Sequence, residues 1–168
     1  VFGKRKGNRV PLYYKKRPLL FQTPFLKVQD QPRFLNEIMD LTTKLDGSSK
    51  EKLDSLFELI EGLEDKVTSL ALNNPDWFNV ENLELKPLVK NKNNRPDTFY
   101  IRWPVPLHPK LVVVPGETMN YNPQDIQVGD KVRIIAECSH VWIEQNVFGL
   151  LVQVRKIAIV PGFHEDDD

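Results

Sequence analysis

One cysteine, Cys138, stands among 168 residues, so no internal disulfide can form. The three histidines, His108, His140 and His164, lack zinc-ligand spacing with it. No stretch approaches the roughly 18 apolar residues that a membrane helix needs, and no leader with a charged head and an apolar body is visible. These absences exclude a disulfide scaffold and a membrane helix, and they lead us to expect a soluble chain in a reducing intracellular compartment. Enzyme signatures are missing as well: there is no P-loop, no GxSxG elbow, no HExxH helix and no GxGxxG turn. Cys138 and His140 are two apart on an apolar strand, where a lone cysteine reads as core filler rather than as a nucleophile. We therefore expect no catalytic residue, no metal and no cofactor. The chain opens on Val1 rather than Met, so further residues are expected beyond its ends.

Net charge is also lacking, since 23 basic residues balance 23 acidic ones. The balance hides a strong segregation. Lys4, Arg5, Lys6, Arg9, Lys15, Lys16 and Arg17 fall within the first seventeen residues, beside Tyr13 and Tyr14 and with no acid among them. A second basic stretch holds Lys86, Lys90, Lys92, Arg95, Arg102 and Lys110 against Asp97. Asp46 to Asp65 carries seven acids, and Glu165 to Asp168 closes the chain. Cations interleaved with aromatic rings suit a flexible polyanion with unpaired bases, because cations neutralise phosphates while rings stack on bases. Single-stranded nucleic acid is the leading ligand.

Hydrophobic spacing gives the frame. Arg9 to Tyr14 and Pro18 to Gln22 alternate as strands around a charged turn at Lys15 to Arg17, and Phe25 to Val28 is extended as well. Alternation places Tyr14 on the face of Val10 and Leu12 and leaves one tyrosine of the pair exposed. In Arg33 to Leu41 the residues Phe34, Ile38 and Leu41 could line a helix, but alternation fits equally and the segment is read as a strand. Ser48 with Glu51 forms a capping box, after which Leu53, Leu56, Phe57, Ile60, Leu63, Val67, Leu70 and Ala71 recur at helical spacing, with the acids facing solvent and an end before Pro75. Trp77, Phe78 and Trp142 are expected in the core. Lys90 to Pro96 is a basic loop by composition. In Thr98 to Trp103 the residues Phe99, Ile101 and Trp103 alternate with Tyr100 and Arg102, so one face is core and the other offers a ring beside a guanidinium. Pro104, Pro106 and Pro109 are expected to forbid regular pairing up to Leu111. Lys131 to Cys138, Val141 to Gln145 and Phe148 to Val160 complete about seven strands. The expected architecture is mainly β, an OB-like closed or partly open antiparallel barrel with one amphipathic helix inserted mid-chain, a single domain over residues 1–168.

The order of four segments is familiar: PLYYKKRPLLFQTP (11–24), NNPDWF (73–78), LVKNKNNRPDTFYIRW (88–103) and GDKVRIIAECSHVWIEQNVFGLLVQVRKIAI (129–159). In this order the chain resembles the OB-fold single-stranded DNA-binding proteins of large DNA viruses and tailed phages, although its proline-rich stretch from Trp103 to Pro109 departs from their pattern. The resemblance implies a sequence-independent coat on single strands during viral DNA replication, recombination or repair. It also implies an acidic C-terminus that contacts a polymerase or helicase, and a place at the host cell's replication sites. Lys4, Arg5, Lys6, Arg9, Lys15, Lys16, Arg17, Lys90, Lys92, Arg95 and Arg102 are the expected phosphate contacts, and Tyr14 and Tyr100 the stacking platforms, all converging on one concave face. Two other classes stay open: a non-catalytic adaptor of a replisome or virion, and a metal-dependent nuclease.

Overall fold

The computed structural model describes residues 2–35, 38–77, 83–91, 99–106, 110–113 and 123–161. Their strands, in chain order, are β1 (Arg9–Pro11), β2 (Tyr13–Tyr14), β3 (Arg17–Gln22), β4 (Leu26–Val28), β5 (Arg33–Leu35) and β6 (Ile38–Lys44). After the helix α1 (Lys50–Leu72) follow β7 (Glu84–Leu85), β8 (Val89–Asn91), β9 (Phe99–Pro106), β10 (Lys110–Val113), β11 (Lys131–Glu144) and β12 (Val147–Val160).

The sheet runs β10, β12, β11, β4, β6, β9, β8. Its spine is the long antiparallel pair of β11 and β12, whose register shifts between Ile135 and Ala136 and again between Cys138 and His140. Bulges of this kind raise the local twist and bend the strand. Along the other edge of β11 the chain lays down three short strands in turn: Val10 faces Val141, Leu19 faces Cys138 and Leu26 faces Val132. The sheet curls until β9 approaches β12. The architecture is thus a mainly β, OB-like half-barrel, antiparallel except where β7 and β10 run parallel to β12, with α1 inserted between β6 and β7.

Inward-facing Leu26, Leu41, Ile101, Trp103, Ile134 and Ile157 fill the core, each burial contributing about 1.5–3 kcal/mol. The Trp103 indole Nε1 donates to Thr43 Oγ1 at 2.9 Å, which satisfies two buried polar groups at once. Cys138 is fully buried, and burial pushes its thiol up to about 12. The bulge at Ser139 breaks the alternation between Cys138 and His140.

Several local expectations change. The helix is capped by Ser49, whose Oγ accepts from the Lys52 N–H at 3.4 Å, while the Ser48 hydroxyl donates to the Phe25 carbonyl; the cap is displaced by one residue, and with Lys52 rather than Glu51 at the third helical position the reciprocal half of the expected box is lost. One acid of the helix turns inward: Glu64 is buried and accepts from the Leu88 N–H at 3.1 Å, and desolvation raises its carboxyl above the ordinary value. The expected strand from Arg33 to Leu41 is a hairpin of β5 and β6, with Arg33 opposite Asp40. Pro104 and Pro106 pair regularly, opposite Asp40 and Ile38, because the β8 ladder ends at Val89 opposite Ile101 and, among the described residues, no ladder on that side asks them for an N–H. Lys131 to Glu144 is one bulged strand rather than two, while the many short strands elsewhere take the number past the seven expected. Pro75–Trp77 forms a 3-10 turn, and Phe78 lies outside the described residues.

Candidate nucleic-acid interface

Residues directly opposite one another in neighbouring strands project from the same face of the sheet. On the outer face this rule produces a row that no single segment encodes. Lys131 of β11 pairs with Lys27 of β4, Lys27 with Lys44 of β6, Lys44 with Tyr100 of β9, and Tyr100 with Lys90 of β8. Four lysines and one tyrosine thus cross five strands, which at about 4.8 Å per strand spans about 19 Å. The strands position them by alternation: Leu26 and Val28, Leu41 and Thr43, and Ile101 and Trp103 point inward and force their neighbours out. Lys44 is exposed, whereas Lys27, Lys90, Lys131 and Tyr100 are half-buried.

Arg102 lies two residues along β9 from Tyr100, on the same face and opposite Thr42. Its guanidinium donates to the Asp40 carboxylate, which holds it still more firmly protonated. Lys90 is pulled below the ordinary lysine value, first by partial burial and then by the charges of Arg102 and Lys86. Lys27 has Asp46 as an ion-pair partner at 3.7 Å, a half-exposed contact of small worth. Hollows flank the row. One of about 560 Å³ lies among Lys27, Lys44, Lys131 and Gly129, and one of about 250 Å³ among Tyr100, Arg102, Asp40, Thr42, Arg33 and Gln29. Cations spaced by the sheet beside a half-buried ring can hold phosphates and stack a base.

The register therefore unites Lys90, Tyr100 and Arg102, and adds Lys27, Lys44 and Lys131, which sequence reasoning missed. A lone lysine in the polar phase of a strand is an ordinary surface residue; its signal appears only when the register lines it up with others.

The N-terminal cluster is set apart from this row. Arg9 faces Trp142, whereas Lys27 faces Lys131, eleven residues away along β11, or about 36 Å of strand path. The basic residues therefore do not all gather in one trough. Lys4, Lys6 and Arg9 are exposed, and the Arg5 Nε donates to the Gly7 carbonyl at 2.7 Å. β2 leaves β11 and, among the described residues, pairs only with β3, Tyr13 opposite Pro18 and Tyr14 opposite Arg17. For that reason Tyr13 and Tyr14 are both exposed, and Tyr14 does not join Val10 and Leu12 in the core. The ribbon turns on Lys15 and Lys16, both at positive φ (50° and 65°), as a tight primed hairpin turn requires, although neither is glycine or asparagine. The Lys15 ammonium lies 5.4 Å from the Tyr14 ring centroid. Trp142, expected in the core, is half-buried beside Arg9, and its indole lies so close over Gly149 that a Cβ there would sit 2.9 Å from it. Lys92, Arg95 and the acidic run from Glu165 to Asp168 lie outside the described residues.

Among the described residues no three or more His, Cys, Asp or Glu side chains come together as a metal site, and no helix is long and apolar enough to cross a membrane.

With this geometry established, two similarities are informative. The fold is that of gp2.5, a single-stranded DNA binding protein encoded by bacteriophage T7: the two share a TM-score of 0.57 over 89% of this chain and 95% of the other, at 11% identity. In sequence the chain is 30% identical, over 164 residues, to an uncharacterized protein of Acanthamoeba polyphaga mimivirus. That match takes in 95% of this chain and 50% of the mimivirus protein, so the chain spans about half the length of the curated relative it matches. No family model matches the chain.

Proposed function

We propose that the chain binds single-stranded DNA across the outer face of its half-barrel and acts, without catalysis, in viral DNA replication, recombination or repair. The observation that carries this reading is the cross-strand row of Lys131, Lys27, Lys44, Tyr100 and Lys90. The strand ladders set the backbone positions from which the lysines project side by side, and the ring supplies sequence-tolerant stacking. The gp2.5 likeness in fold and the mimivirus relative support a viral single-strand binder. In this reading the N-terminal ribbon, with Tyr14, Lys15, Lys16 and Arg17, is a second anchoring point further along the strand. Lys92 and Arg95 contribute further phosphate contacts, and the whole chain acts as one domain. The acidic C-terminal run is the contact for a polymerase or helicase.

Titration of a fluorescent dT oligonucleotide at rising salt tests the proposal. Affinity should fall with a log–log slope of about −0.7 for each phosphate neutralised. Failure to bind at about 50 mM salt, where phosphate contacts are strongest, would overturn it.

A further inference from the structure

The hollow of about 250 Å³ beside Tyr100 is chemically unlike the row it adjoins. A surface that only holds phosphates needs cations, and carboxylates there repel the strand. Yet Asp30 and Asp40 share the walls of this hollow with Arg33 and Arg102, while Gln29 and Thr42 supply groups that both donate and accept. Asp40 is also fixed in place. Arg33 stands opposite it on β5, and the Arg102 guanidinium binds its Oδ2 from the other side. The side-chain amide of neighbouring Gln31 donates to the Ile126 carbonyl at 3.1 Å, which pins the loop at the rim. The result is a ring wall with acceptor-only and donor-only groups held side by side.

That pattern suits the edge of a nucleobase rather than a phosphate. Cytosine presents an amino donor next to ring and carbonyl acceptors, which match a carboxylate beside a guanidinium. Thymine presents one ring N–H between two carbonyls, and at least one of those carbonyls would face carboxylate lone pairs. We infer that this hollow takes one base of the bound strand, stacked on Tyr100, and favours cytosine over thymine through Asp40. The inference rests on the single-strand reading above and adds a graded base preference to it. Most of the affinity remains with phosphates and stacking.

The test compares fluorescent dC and dT oligonucleotides of equal length at pH 7.5 and one salt concentration. Both are titrated against the unaltered chain, against Asp40→Asn and against Asp30→Asn. The unaltered chain should bind the dC strand at least about fivefold more tightly, the discrimination of one good base contact. Asp40→Asn should bring the two affinities within about twofold of each other while dT binding persists, and Asp30→Asn should narrow the gap less. Equal affinities, or a preference for dT, would overturn the base pocket and leave single-strand binding standing. A dC preference that survives both substitutions would also overturn it, since Asp40 would then only neutralise Arg102. Binding of neither oligonucleotide would overturn both readings.

Discussion

The row on the sheet and the N-terminal ribbon are built from the same residue types, lysine, arginine and tyrosine, but by opposite means. In the row each side chain comes from a different strand, and the backbone ladder fixes its neighbours. In the ribbon, Tyr13 to Arg17 are contiguous, all exposed, and closed by two lysines in a left-handed backbone that glycine and asparagine adopt more readily. Contiguous charge is thus easy to see in a sequence and loosely held in space. Dispersed charge is hard to see and firmly held.

The largest expected difference lies between the two rings. Tyr100→Ala should weaken single-strand binding by about 1–3 kcal/mol, the worth of one stacked base, with an unchanged far-UV circular dichroism spectrum. Tyr14→Ala should cost several-fold less, because its strand pairs only with β3 and its ring is open on most sides. Equal losses in anisotropy titrations would erase the distinction. Next comes charge. Removing Lys27 and Lys44 together, as Lys27→Ala with Lys44→Ala, should lower the magnitude of the log–log salt slope by about 1.4, two phosphates at about 0.7 each. An unchanged slope would move the phosphate path off the row.

A smaller effect should separate the regions in stability rather than binding. Replacing the strained turn by Lys15→Asn with Lys16→Gly should raise the free energy of unfolding by about 1 kcal/mol in denaturant titrations, because both new residues accept positive φ at low cost. Binding by the row should be untouched. The gentlest test concerns α1, which packs on β12. Glu64 carries a raised carboxyl value, so the folded state holds its proton to higher pH than the unfolded chain does. Stability should therefore decline as pH rises from the ordinary carboxyl value of 4.5 towards the raised one, and Glu64→Gln should remove that decline from a pH series of thermal melts.

How much of this was legible in the chain depended on how local each signal was. Tyr100 and Arg102 showed their outward phase because Phe99, Ile101 and Trp103 alternate with them inside one strand. The helix declared itself through its apolar stripe, and the Val10 and Phe21 strands through alternation. Lys27, Lys44 and Lys131 were silent because pairing register joins residues as far apart as Lys27 and Lys131, and no local pattern carries it. Glu64 sits in sequence among acids of the solvent face; its inward turn depends on Leu88, 24 residues later. Pro104 and Pro106 misled for a related reason, since a proline disrupts a ladder only on the side where a partner strand needs its N–H, and among the described residues the β8 ladder on that side stops at Ile101.

A consequence follows from the direction of the row. It runs along the hydrogen bonds between strands rather than along the chain, so its repeat is the fixed interstrand step of about 4.8 Å. The spacing of the cations is thereby a property of peptide groups, indifferent to which core residues sit beneath them. Relatives can exchange Leu41 or Ile134 for other apolar residues and still offer a polymer the same comb of charges, provided that no insertion slips a strand by one residue and turns its tooth to the inside.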